Sequence, residues 1–97
     1  MTNVLLVCNA GMSTGILAKK MEEVRPGELK VTAIASGDLK DRLEGVDVIL
    51  VGPQIRFMVD EIKSATDIPV QVIDFRKYGM MDAKGIVEDM LNNWRIG

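Results

Sequence analysis

The chain has 97 residues, 47% hydrophobic and 27% charged, with a formal net charge of −2. These are the proportions of one globular domain over residues 1–97, without the basic excess that nucleic-acid binding requires. The single cysteine excludes an intrachain disulfide, and the absence of histidine excludes Cys-His and Ser-His catalysis and the usual zinc sites.

Residues 4–7, Val-Leu-Leu-Val, predict a first strand. The N-terminus leads straight into it, without a signal-peptide pattern, and no apolar run is long enough to cross a membrane, so the expected location is the cytoplasm without direct membrane insertion. Ile16, Leu17, Met21 and Val24 then repeat at helical spacing, and Pro26-Gly27 stops the segment. A second strand is expected over 31–35, followed by a short helix marked by Leu39 and Leu43 and ended near Gly45. Residues 46–51 predict a third strand, and Ile55, Met58, Val59, Ile62 and Ala65 a third helix. After a fourth strand over 70–73 and a loop over 74–82, Ala83, Ile86, Val87, Met90, Leu91 and Trp94 form the clearest helical stripe.

The strands are apolar on both faces, as in a parallel sheet covered on both sides. The βαβαβαβα order implies a doubly wound α/β sheet with right-handed crossovers. Ligands of such sheets bind beyond the carboxyl ends of the strands. That rule selects the loops 8–15, 35–38, 52–55 and 74–82.

The first of these, Cys8-Asn9-Ala10-Gly11-Met12-Ser13-Thr14-Gly15, joins the first strand to the first helix. Gly11 lets the chain curl. A curled loop at a helix start aims backbone N–H groups inward, and the helix dipole adds to their attraction for an anion. Ser13 and Thr14 supply hydroxyls for the anion or for the helix cap. The same surroundings favour a thiolate at Cys8. Two readings of Cys8 stand side by side: a nucleophile over a phosphate cradle, or a small buried apolar side chain above an ordinary turn.

Three chemistries suit a nucleophile there. A cysteine phosphatase needs Cys-x5-Arg, and Thr14 occupies the arginine position. An aspartyl-phosphate receiver needs acidic residues at the ends of strands one and three, where Cys8 and Gly52 stand. A phosphocysteine carrier needs a thiolate, an amide cradle and no group that activates water, which fits a loop lacking histidine and carboxylate.

Cys8 through Thr14, Gly52-Pro53-Gln54-Ile55-Arg56-Phe57-Met58 and the stretch from Asp74 through Tyr78-Gly79-Met80-Met81 together resemble the IIB components of the bacterial phosphoenolpyruvate-dependent sugar phosphotransferase system, of the lactose/cellobiose (chitobiose) type. The resemblance spans essentially the whole chain. It implies a three-layer αβα fold with a four-stranded parallel sheet of order 2-1-3-4 and helices on both faces. It also implies a phosphotransferase in which a IIA phosphohistidine donates to Cys8. Phosphocysteine then donates to a sugar, a β-linked disaccharide such as cellobiose, chitobiose or lactose, bound by the membrane IIC component. Asn9, Ala10, Gly11, Met12, Ser13, Thr14 and Gly15 would bind the phosphoryl group, with no metal or cofactor. Gly15 stands where the family often has a second hydroxyl residue, and the stretch around Arg25-Pro26-Gly27-Glu28 is short. The alternative is a cysteine-dependent phosphatase or an arsenate-reductase-like enzyme.

The remaining edge residues keep two readings each. Gln54 steadies the loop or a partner, or bonds a helix start. Tyr78 lies over the site, or packs its ring and leaves its hydroxyl wet. Met12, Met80 and Met81 form a docking surface or join the core. Arg56 and Arg76 meet acidic partner surfaces or are simply solvated, and Trp94 is expected in the core of the last helix.

Overall fold

Residues 4–7 become the middle of the central strand. The computed structural model describes residues 1–8 and 12–93, with the backbone alone at Met12, Ser13 and Asn93. Its four strands are β1 (Thr2–Cys8), β2 (Leu29–Ala35), β3 (Val48–Val51) and β4 (Val70–Val72). All pair in parallel, in the order β2-β1-β3-β4. The sheet expected from the sequence is therefore present.

The strand ends differ from the apolar runs for local reasons. β1 and β2 start earlier because Thr2 pairs with Leu29 and Asn3 with Lys30, extending the ladder through polar residues. β3 starts later because Val46 N–H closes a turn on the Leu43 carbonyl, while the Asp47 carboxylate accepts from Asn3 N–H at 2.7 Å. β4 stops at Val72, although Ile73 N–H still donates to the Val51 carbonyl at 2.9 Å.

Alternation along β1 and β3 divides the core into two layers. Val4, Leu6, Val48 and Leu50 pack with α1 (Met12–Val24) and α4 (Ala83–Asn93). Leu5, Val7, Ile49 and Val51 pack on the other face with Leu39, Ile55 and with Ile62 of α2 (Val59–Ala65). Each fully buried aliphatic side chain stabilises the fold by about 1.5–3 kcal/mol.

The helices hold four corrections. On α1 the buried stripe is Thr14, Leu17, Ala18 and Met21, spaced i, i+3, i+4, i+7, whereas Ile16 is exposed. Gly27, at φ +79°, makes the expected stop after α1. The short helix after β2 is a 3-10 segment, Ser36–Arg42. The third helix is broken: Pro53–Met58 is a 3-10 segment, with Ile55 out of helical geometry at φ −118°, ψ 26°, and α2 begins only at Val59. Residues 74–82 are not a plain loop, because they contain α3 (Phe75–Gly79). Trp94 and residues 9–11 lie outside the described residues.

Candidate functional site

Cys8 ends β1, opposite Ala35 of β2. Strand alternation turns it to the same face as Val4 and Leu6, beneath α1 and α4. It is buried, at 4% exposure, so its neighbours control what reaches the sulfur.

Three elements close on that sulfur. From the end of β3, Gly52 N–H donates to the Val7 carbonyl at 2.8 Å and brings its backbone against Cys8. A Cβ at position 52 would lie 3.2 Å from Cys8 Sγ and 3.2 Å from Gln54 Oε1, so a side chain there would crowd both. Gln54 is exposed and aims its carbonyl oxygen back over Gly52.

From α1 comes Thr14, the third residue of a thirteen-residue helix whose first turn carries no acidic residue. The leading N–H groups of a helix have no intrahelical partner and favour an anion. Thr14 is 4% exposed, and its Oγ1 has no hydrogen-bond partner among the described groups. A buried hydroxyl left unpaired costs about 1–3 kcal/mol. It stands on the buried stripe of α1, where packing alone would favour an apolar residue. Gly15, next to it, is exposed with open space where a side chain would go, so a hydroxyl residue here would project outward.

From α3 comes Tyr78. Its ring packs against the α1–α4 layer, and its hydroxyl shares a hydrogen bond of 3.0 Å with Cys8 Sγ, 70 residues away in sequence. The two sequence-based readings of Tyr78 thus combine: the ring is packed and the hydroxyl lies on the sulfur. Burial, and next the hydrogen bond with Cys8, push the phenol above its ordinary pKa. The Thr14 hydroxyl acts in the other direction: it stands near the phenol but outside hydrogen-bond geometry.

Beyond the partly buried Tyr78 ring, polar contacts hold α3 there, since none of its residues is fully buried. Asp74 caps it, accepting from Lys77 N–H at 3.1 Å. Lys77 Nζ reaches Asp89 of α4 at 2.6 Å, and Asp82 accepts from Gly85 N–H at 3.1 Å. The hydrogen bond to Asp89 raises the Lys77 pKa, with smaller help from Asp74 and Asp82 against desolvation.

Of the residues singled out from sequence, the structure brings together Cys8, Thr14, Tyr78 and, across Gly52, Gln54. Asn9, Ala10 and Gly11, and the side chains of Met12 and Ser13, lie outside the described residues. Met81 packs on the core and Met80 is exposed. Sequence reasoning missed Phe57 and Phe75, which are 77% and 73% exposed on segments following β3 and β4. Their signal was an aromatic beside an arginine, Arg56-Phe57 just after the 52–55 loop and Phe75-Arg76 within the 74–82 loop, both loops placed at the ligand edge. Among the described residues no group of three or more His, Cys, Asp or Glu lies together to hold a metal, and no helix is long and apolar enough to cross a membrane.

Comparison with known proteins decides what this edge belongs to. The profile of the phosphotransferase-system lactose/cellobiose-specific IIB subunit matches residues 3–89. The chain belongs to this IIB family. The oligo-beta-mannoside-specific EIIB component of Bacillus subtilis is 36% identical over 98 residues, covering 95% of each chain. The cellobiose-specific EIIB component of Lactococcus lactis is 32% identical over 103 residues, covering 92% of this chain and 95% of its own. Among solved structures, the lactose-specific IIB domain of Streptococcus pneumoniae superposes with a TM-score of 0.81 at 18% identity, over 97% of this chain and 98% of its own. The cellobiose-specific IIB protein of Borrelia burgdorferi gives 0.70 at 32% identity, over 95% and 93%. This IIB chain is thus a phosphotransferase-type protein of sugar uptake with the family's fold.

Proposed function

We propose that this IIB protein carries its phosphoryl group on Cys8, in the cytoplasm. The Cys8 thiolate, its proton already released to solvent, attacks the phosphorus of a phosphohistidine on a IIA partner: an S–P bond forms, the N–P bond breaks, and the imidazole nitrogen that loses phosphorus takes up a proton from solvent. Phosphocysteine then passes the group to a sugar hydroxyl held by a membrane IIC partner. A β-linked disaccharide is the substrate class, supported by the oligo-beta-mannoside and cellobiose specificities in the names of two relatives. The exposed Phe57, Phe75 and Met80 offer these partners an apolar rim.

The observation that carries this reading is the buried sulfur of Cys8 on the Tyr78 phenol, with the buried, unpaired Thr14 hydroxyl at the start of α1 close to that same phenol. An anion attached to the sulfur would lie at the positive end of the helix and satisfy that hydroxyl. Incubation with phosphoenolpyruvate, the general phosphotransferase proteins and a IIA partner, followed by intact-mass measurement, tests it. One phosphate adduct is expected on the wild-type chain and none on Cys8→Ser. Absence of any adduct, together with turnover of an aryl phosphate, would replace the carrier with a cysteine phosphatase.

A further inference from the structure

Cys8, Thr14 and Tyr78 bring two hydroxyls to one site, one on the sulfur and one beside that phenol, and the two are in different states. The Tyr78 hydroxyl is engaged with Sγ at 3.0 Å. The Thr14 hydroxyl is buried and has no partner among the described groups, although the Tyr78 phenol stands close by. Natural proteins seldom leave a buried hydroxyl unpaired, and an exception calls for a ligand or a second arrangement of the site.

We propose that Tyr78 is the positioning residue of the Cys8 reaction, donating its O–H to the sulfur before transfer and to a phosphoryl oxygen after it, when Thr14 Oγ1 takes a second phosphoryl oxygen. This rests on the carrier reading above and adds to it the residue that tunes the sulfur. Before transfer, the phenol's proton lies on the sulfur's charge and favours the thiolate that attacks. After transfer, sulfur is bonded to phosphorus and is a poor acceptor. The charge has moved to the phosphoryl oxygens, one bond further out. The phenol needs only a small displacement to follow it, and the stored cost of the unpaired Thr14 hydroxyl is relieved at the same moment. No proton is gained or lost at Tyr78 in this exchange. It remains a phenol throughout, as burial and the sulfur contact both favour.

Two substitutions separate the roles. Tyr78→Phe keeps the ring and its packing and removes only the hydroxyl. It is expected to melt close to wild type, to shift the midpoint of Cys8 alkylation by iodoacetamide to higher pH, and to slow single-turnover formation of the phosphate adduct by about tenfold or more, the scale of a lost hydrogen bond to a charged group. Thr14→Val keeps the shape and removes the unpaired hydroxyl. It is expected to melt several degrees higher than wild type, to leave the alkylation midpoint in place and to slow adduct formation. The alkylation profile needs no partner protein and is not moved by packing alone. Equal alkylation profiles and adduct rates in wild type and Tyr78→Phe overturn the proposal and leave the carrier reading intact. A Thr14→Val protein that melts lower and transfers normally overturns the part assigned to Thr14. A wild-type chain that takes no phosphate overturns the carrier reading and this proposal with it.

Discussion

β1 and α3 meet where Cys8 bonds Tyr78, and they are held by different forces. From Val4 to Cys8 every residue of β1 is buried, between strands on both sides and helical layers on both faces. α3 buries none of its five residues. A capping carboxylate, a lysine–aspartate pair and a turn at Asp82 keep it in place. The nucleophile is thus fixed by hydrophobic packing, which is strong and hard to displace. Its hydroxyl partner is held by one partly buried ring and by polar contacts that are exposed, individually weak and readily broken. Such a division suits a site where the sulfur must stay in register while the group above it gives way.

Substitutions on the two sides are expected to separate stability from reactivity. The largest effect falls on the strand: Leu6→Ala removes a fully buried side chain at the centre of the sheet. It is expected to cost about 2–5 kcal/mol in denaturant unfolding, and to leave the Cys8 alkylation profile unchanged while the protein stays folded. Asp74→Ala removes the α3 cap at a cost of about 1 kcal/mol. Despite that smaller loss, it is expected to move the alkylation profile in the direction of Tyr78→Phe, because the phenol is less often in place. If Leu6→Ala moved the profile and Asp74→Ala did not, the contrast between strand and cover would be wrong. The smallest effect is at Lys77, on the surface. Its pKa is raised from the ordinary 10.5, chiefly by the hydrogen bond to Asp89. A raised cation contributes stability that is complete below its unfolded value and fades as pH rises through the folded one. Wild type is therefore expected to exceed Lys77→Met slightly in melting temperature at neutral pH, with the gap closing above about pH 10.5. A gap that persisted or grew in alkali would show that the stem of Lys77, not its charge, holds α3.

The sheet was legible because its strands are buried on both faces and so appear as continuous apolar runs. The ligand edge followed from topology alone. What escaped was structure without an apolar signature. α3 is five residues long and buries nothing, so no stripe marks it; Asp74 three residues before Lys77 was its one local sign. The break between residues 53 and 65 escaped for the opposite reason. Ile55 and Ile62 are both buried, and their spacing looks like one helix even though the backbone at Ile55 is not helical. At the site, Cys8 could be singled out as the lone thiol at a strand end. Tyr78 could be placed over the site only as one of two readings, because its contact joins the first strand to a helix after the last strand. Thr14 was legible as a hydroxyl near a helix start, but its burial required the true face of α1, which the exposed Ile16 misdirects.

The 70 residues between Cys8 and Tyr78 also have a meaning in time. During synthesis β1 emerges first, and its sulfur is chemically complete as soon as residue 8 leaves the ribosome. The phenol that covers and tunes it arrives only after β4 has been made and α3 has docked beside β1, the kind of long-range closure that forms late in folding. Until then the thiol lacks its phenolic partner and a cover that excludes water. Acquisition of the mature alkylation profile during refolding therefore works as a clock for the last step of assembly, read at the first strand of the chain.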